Sequence, residues 1–159
     1  MAPSCGDADS VTIDVRQAGL DDLKDLAPLF DGYRRFYGQP SDLARASQFL
    51  ADRLAAGDSV IFLAKQDGEP IGFTQLYPTF SSVRTARTFI LNDLFVAPDA
   101  RGTGAGRKLL ETARTYAREA GATRISLSTA RDNLAAQQLY RDDGWHEESE
   151  FISFNRSLP

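Results

Sequence analysis

Ile90-Leu91-Asn92-Asp93-Leu94-Phe95-Val96, followed after Ala97 by Pro98-Asp99-Ala100-Arg101-Gly102-Thr103-Gly104-Ala105-Gly106, reads as a strand running into a glycine-rich turn and then a helix. The strand is apolar on both alternating faces, which predicts a central position covered on both sides, with Pro98 ending the ladder. Beyond the turn, apolar or small residues recur at Gly106, Leu109, Leu110, Ala113, Tyr116, Ala117 and Ala120, the spacing of one helix face. Glycines let a backbone approach a ligand closely, and the first N–H groups of a helix have no partner within it. Such a turn is an anion cradle, stabilising phosphate through N–H donors and the positive end of the helix dipole, with Arg107 and Lys108 adding charge. An ordinary glycine turn before a core helix is the plainer alternative.

Two common phosphate loops fail here. A Walker loop needs Gly-Lys before Ser or Thr, but Lys108 lies between Arg107 and Leu109. A dinucleotide fingerprint needs a third glycine, yet counting from Gly104 reaches Leu109 and counting from Gly102 reaches Arg107. The spacing Arg101-x-x-Gly104-x-Gly106 behind Asn92-Asp93-Leu94-Phe95-Val96 instead resembles the acetyl-CoA pyrophosphate loop of the GNAT N-acetyltransferases.

The composition suits such an enzyme. A chain of 159 residues, 42% apolar and 25% charged, is enough for one globular domain with one core, expected over residues 10–159 behind a disordered tail at residues 1–9. No apolar run approaches a membrane span and the start carries no targeting signal, so a cytoplasmic protein is expected. Cys5 can form no internal disulfide and His146, the only histidine, cannot build a metal site alone, so neither redox nor metal chemistry is expected. A net charge of −4 argues against a nucleic-acid surface.

In chain order, Val11 to Arg16 alternates as a first strand. A helix follows from Asp21-Asp22 to about Tyr37, and a second, capped by Ser41, runs to Gly57. Between them lies an aromatic and basic corner, Tyr33-Arg34-Arg35-Phe36-Tyr37. Strands Ser59 to Lys65 and Ile71 to Tyr77 flank an Asp67-Gly68 hairpin signal, and Pro78 to Thr85 is a polar loop. After the cradle helix come Gly121, a strand from Arg124 to Thr129, a helix from Leu134 to Asp142 capped by Asn133, and two closing strands, Trp145 to Glu148 and Phe151 to Arg156. The order predicts an α/β fold with a mixed, mostly antiparallel sheet of about seven strands and helices on both faces. The GNAT family has this order.

A second motif strengthens the resemblance. Asn133, then Ala136, then Leu139-Tyr140, then Gly144-Trp145 is similar to the GNAT pattern of Asn, Ala, Leu-Tyr and Gly-aromatic. The resemblance implies acetyl-CoA as acyl donor, the backbone of Leu94, Phe95 and Val96 against its pantetheine arm, and Val96 N–H as donor to the thioester carbonyl. It also implies that Arg101, Gly102, Thr103, Gly104, Ala105, Gly106 and Arg107 hold the pyrophosphate, that Asn133 and Ala136 face the cofactor, and that Tyr140 protonates the departing thiolate. That last role is chemically apt, since a phenol within hydrogen-bond reach can stabilise developing negative charge.

The acceptor must attack as a neutral amine, although a lysine-like amine has a pKa of about 10.4. Asn92 and Asp93 are the polar residues of an apolar strand, and a buried carboxylate costs several kcal/mol unless paired or used, so Asp93 is the candidate base. In the spermidine/spermine acetyltransferases, which this strand resembles, Glu-Asp occupies the pair and the Glu is the base; here Asn92 cannot accept a proton. Asp93 points to the opposite face if the strand is regular, and a β-bulge would re-aim it. A purely structural Asp93 is the alternative.

The acceptor class implied is a primary amine on a small polyamine, an amino acid derivative, an aminoglycoside-like molecule or a peptide lysine. Its pocket is expected to draw on Phe30, Tyr33, Tyr37, Tyr77, Phe80 and Asn92, with Asp31 taking a second ammonium; a plain aromatic core is the alternative. A non-catalytic acyl-CoA sensor on the same fold is the competing function. The closing strand Phe151 to Arg156 makes a homodimer plausible.

Overall fold

The computed structural model describes residues 12–159. The expected tail at residues 1–9, Cys5 and the Val11 start of the first strand lie outside the described residues. The chain divides into two compact units, Met1–Ser128 and Thr129–Pro159.

The first unit holds β1 (Ile13–Gln17), α1 (Leu23–Phe36), α2 (Leu43–Ala56), β2 (Val60–Gln66), β3 (Glu69–Ser81), β4 (Ala86–Val96), α3 (Ala105–Glu119) and β5 (Arg124–Ser126). They form one sheet in the order β1-β2-β3-β4-β5, antiparallel throughout except for the parallel pair β4/β5, which α3 connects. A parallel neighbour requires such a crossover.

Local chemistry explains most boundaries. A single 3-10 turn, Leu20–Asp22, precedes α1, where the Asp22 carboxylate accepts from Gly19 N–H and pairs with Arg16; the Arg16 hydrogen bond foremost holds the Asp22 pKa down to about 2. The cap of α2 differs from expectation. Asp42, not Ser41, accepts the N–H of Arg45, because the Ser41 hydroxyl is turned to the Asp31 carboxylate. Gly57, at φ 66°, ends α2 as expected. Asp67 and Gly68, at φ 50° and 83°, make the tight β2/β3 hairpin that their sequence signals.

Helices cover both faces of this sheet. From β2, Ile61 and Leu63 join Leu26, Phe30, Ala46 and Leu50 of α1 and α2 in a core that includes Phe73 and Phe95, whereas Phe62 turns the other way, 5.5 Å from the ring of Tyr116 on α3. The run buried on both faces is β2, which has full neighbours in β1 and β3. β4 is less enclosed than its composition suggests. β5 pairs only with Thr88 to Ile90, Ile90 is 40% exposed, and Asn92, beyond the pairing, is exposed as well. β3 extends through the expected Pro78 loop to Ser81; there β2 has ended, so the missing Pro78 N–H disturbs no second ladder.

The second unit contains α4 (Leu134–Asp142), begun by the Asn133 side chain accepting Ala136 N–H at 3.2 Å and closed before Gly144 at φ 89°. The two expected closing strands are absent from the described residues, so the sheet has five strands rather than about seven. A strand persists only through a paired ladder. Here the Glu148 carboxylate instead takes the Glu150 N–H at 2.7 Å, bending the chain, and Phe151, Ile152 and Phe154 are 75%, 81% and 88% exposed. Among the described residues no helix is long and apolar enough to cross a membrane.

Candidate active site

At the end of β4 the chain makes the turn that the glycine spacing predicts. Gly102 and Gly104 have φ of 79° and 89°, and Gly104 is the N-cap of α3 with no side chain capping it. A Cβ built on either glycine meets nothing within 4 Å, so backbone conformation rather than crowding selects glycine, and the space ahead of the first helical N–H groups is open. Those donors and the helix dipole suit a phosphate. The Thr103 hydroxyl pins the turn by donating to Ala100 O at 2.6 Å. Arg101 reaches back, donating from Nε to Val96 O at 3.1 Å with its guanidinium 5.9 Å from the rings of Phe36 and Phe95. Lys108 does not serve the cradle: its Nζ donates to Ile13 O at 2.7 Å, tying α3 to β1.

Backbone groups along the end of β4 follow from its register. Val96 lies opposite Gly72, and Ala97 N–H donates to Ile71 O at 2.7 Å, which makes Val96/Gly72 a non-hydrogen-bonded pair. The N–H of Val96 therefore turns away from β3, as does that of Leu94 opposite Thr74. On that side β5 has already parted from β4, since its pairing covers only Thr88 to Ile90. There β4 turns the backbone N–H groups of Leu94 and Val96 outward, an edge suited to an extended amide-bearing chain such as pantetheine.

Upstream in the same strand is a bulge. Gln75 faces Asp93 but Leu76 faces Leu91, so Asn92 is the extra residue. Its effect is visible on either side: Phe89 packs on Tyr116 of α3 at 5.8 Å, whereas Phe95 joins the α1/α2 core. In a regular strand residues this even distance apart share a face. The bulge thus carries Asp93 to the α1 face, 2% exposed.

There the Asp93 carboxylate accepts from Gln75 Nε2 at 2.6 Å and from Asn92 Nδ2 at 2.7 Å. Burial raises its pKa above the ordinary value, opposed chiefly by the hydrogen bonds from Asn92 and Gln75. The Tyr33 hydroxyl donates to Asn92 O at 3.2 Å. Burial chiefly, then the Asp93 charge, raises the Tyr33 phenol, and the same causes push Tyr77 up to about 12. Both phenols stay neutral at physiological pH, and Asp93 is the ionisable acid of this cluster.

These groups border a cavity of about 250 Å³ lined by Phe30, Tyr33, Arg34, Phe49 and Tyr77, with Arg45, Asn92 and Asp93 completing the wall. Of the residues expected to bind acceptor, Phe30, Tyr33, Tyr77 and Asn92 are there. Three are elsewhere. Tyr37 packs edge-on against Tyr33 at 5.1 Å but does not line the cavity. Phe80, 69% exposed, lies over Arg87 near the tip of the β3/β4 hairpin. Asp31 is buried with one carboxylate oxygen taken by Ser41 Oγ and the other by Asp42 N, both at 2.7 Å, so it joins α1 to α2 rather than facing a ligand. Those hydrogen bonds, Asp42 N–H foremost, lower its pKa. The sequence reading gives no site role to Arg34, Arg45, Gln75 or Phe49, the last being read only as an inward position of the second helix. Arg45 and Phe49 share an i,i+4 face of α2, the one local signal that would have found them. A second depression of about 280 Å³, along α3 between Phe62 and Glu111, lies away from these polar groups.

In the second unit, Tyr140 on α4 is half-buried with its ring 6.1 Å from that of Trp145. Trp145 donates its backbone N–H to Tyr140 O and its Nε1–H to Asp143 Oδ2, each at 2.9 Å. The Asn133-to-Trp145 motif is therefore a self-consistent cap, helix and stop.

The chain matches the family model described as acetyltransferase (GNAT) family over residues 24–145. It is 48% identical over 147 residues to an uncharacterized N-acetyltransferase, YhfO, of Bacillus subtilis (strain 168), covering 92% of this chain and 99% of the relative. An aminoglycoside N(6')-acetyltransferase type 1 of Klebsiella aerogenes is 27% identical over 114 residues, covering 70% of this chain and 75% of that protein. Among solved structures, a probable acetyltransferase superposes with a TM-score of 0.86 at 42% identity, covering 92% of this chain and 98% of that one.

Proposed function

The chain belongs to the GNAT acetyltransferase family, and from that premise we propose that it transfers the acetyl group of acetyl-CoA to a primary amine bound in the cavity beside Asp93. The observation that carries this reading is the bulge at Asn92, which puts the one buried carboxylate of β4 on the wall of that cavity. Acetyl-CoA, when bound, supplies the activated thioester carbonyl. The open cradle from Arg101 to Arg107 is suited to its pyrophosphate and the outward N–H groups of Leu94 and Val96 to its pantetheine arm, with the Val96 N–H donating to the carbonyl oxygen.

Asp93, in its ionised form, takes the proton that the acceptor ammonium must lose, directly or through water. As the new C–N bond forms and the C–S bond breaks, the nitrogen gives up its second proton to solvent, and Tyr140 gives its phenolic proton to the sulfur and recovers one from solvent. Asn133 and Ala136 contribute at the start of α4. In this reading residues 10–159 belong to one acetyltransferase domain, and the cytoplasm, where the acyl donor is plentiful, is its setting.

Free thiol release from acetyl-CoA over a panel of amines, amino acids, aminoglycosides and lysine peptides tests the proposal. Turnover that Tyr140→Phe reduces, with acetyl-CoA affinity unchanged, supports both the reaction and the leaving-group role. Acetyl-CoA binding with no transfer to any amine contradicts the enzyme reading and favours a sensor.

A further inference from the structure

The cavity wall carries more positive charge than an acceptor of several ammonium groups would tolerate. Besides Asp93 it includes the guanidinium groups of Arg34 and Arg45. Arg34 is partly neutralised, with Asp31 at 3.7 Å and Pro40 O at 3.4 Å. Arg45 is different: among the described residues its side chain has no hydrogen bond or ion pair, and only its backbone N–H is used, in the Asp42 cap.

The place of Arg45 is also costly locally. It sits in the first turn of α2, where the helix dipole disfavours a cation, and the Asp42 carboxylate at that end takes the backbone N–H of Arg45 rather than its guanidinium. A residue set against local electrostatic preference at a cavity wall points to a ligand that repays it. The guanidinium fork and the positive helix end both favour an anion, and a carboxylate meets the fork in bidentate geometry. The same wall carries the Asp93 carboxylate, suited to an ammonium.

Size adds a bound. About 250 Å³ is at the small end of ligand cavities, too little to enclose a multi-ring polycation. Phe30 and Phe49, stacked at 5.5 Å, supply the apolar wall for a short aliphatic or aromatic body.

Resting on the acetyltransferase reading above, we propose that the acceptor is a small amino carboxylate, its amine at Asp93 and its carboxylate on Arg45 with Arg34 in support. Opposite charges at the two polar parts of one small cavity select a zwitterion. Diamines and aminoglycosides place a like charge against Arg45 instead.

Matched series decide it: several amino acids of different chain length, each with its carboxamide and its decarboxylated amine, assayed for acetylation by the wild type, Arg45→Gln and Arg45→Lys. The wild type is expected to prefer the free acid in kcat/KM by about tenfold or more, as charge-assisted hydrogen bonds provide. Arg45→Gln is expected to reduce that ratio towards one, mainly through KM, and Arg45→Lys to restore part of it. Equal or better turnover of the carboxamides or diamines overturns this inference while leaving acetyl transfer standing, and so does a preference for the acid that survives Arg45→Gln. Absence of transfer to every member of every series overturns the acetyltransferase reading itself, and this inference with it.

Discussion

Asp93 combines a cost with a role. Its carboxylate is 2% exposed and keeps its charge with the help of two amide donors, Gln75 and Asn92. Burial raises its pKa, so ionisation opposes folding: stability contributed by this group falls as pH rises from the unfolded value of 3.8 towards the higher folded value. Activity has the opposite sign, because a base must be ionised. Asp93→Asn is therefore expected to lower kcat/KM by roughly 100-fold, the usual scale of a general base, without a parallel fall in thermal midpoint. In the wild type the low-pH limb of kcat/KM is expected to lie above the ordinary aspartate value, in the direction that burial shifts Asp93, and to vanish in the variant. A variant with wild-type turnover would make Asp93 structural.

Pairs of elements rest on contacts that single residues control. Asp31 ties α1 to α2, accepting from Ser41 and Asp42. Asp31→Asn keeps the shape but forfeits the charge, and is expected to cost about 1–2 kcal/mol in urea unfolding at pH 7. The folded pKa of Asp31 is lowered, so its contribution is complete above the unfolded value near 3.8 and is lost as pH falls through the folded one. The gap between wild type and variant is expected to close over that acid range. Gly72 governs the β3/β4 approach: a Cβ there would stand 2.7 Å from Phe95 O, a backbone atom that cannot move without parting the strands. Gly72→Ala is expected to destabilise by about 1–3 kcal/mol, as overpacking does, and to raise the KM for acetyl-CoA because the outward N–H groups of Leu94 and Val96 shift with β4. Unchanged stability would mean that the strands part more easily than their close pairing suggests.

For the molecule as a whole, acyl-donor binding and folding are linked. A ligand at a hundred times its Kd stabilises by about 2.7 kcal/mol, so acetyl-CoA is expected to raise the unfolding midpoint by several degrees. Gly104→Val, forced into φ 89° at the mouth of the cradle, is expected to lose most of that rise in addition to its own strain of about 1–2 kcal/mol. A full ligand shift in the variant would place the pyrophosphate elsewhere. The sequence by itself determined whatever is written in nearest neighbours: the glycine turn ahead of α3, the Asp67-Gly68 hairpin, the Asn133 cap of α4 and the family motifs around Tyr140. Each depends on residues a few positions apart, so spacing is sufficient evidence. Tertiary structure decided the rest. The closing strands failed because a ladder needs a partner that composition does not guarantee, and Asp31 turned inward because Ser41 and Asp42 happen to come within its reach. The face on which Asp93 lies depended on one unpaired residue, Asn92, in a register set jointly with β3. Arg45 entered the cavity only because α2 packs beside α1. Pairing register and helix packing are agreements between distant segments, and no single segment carries them.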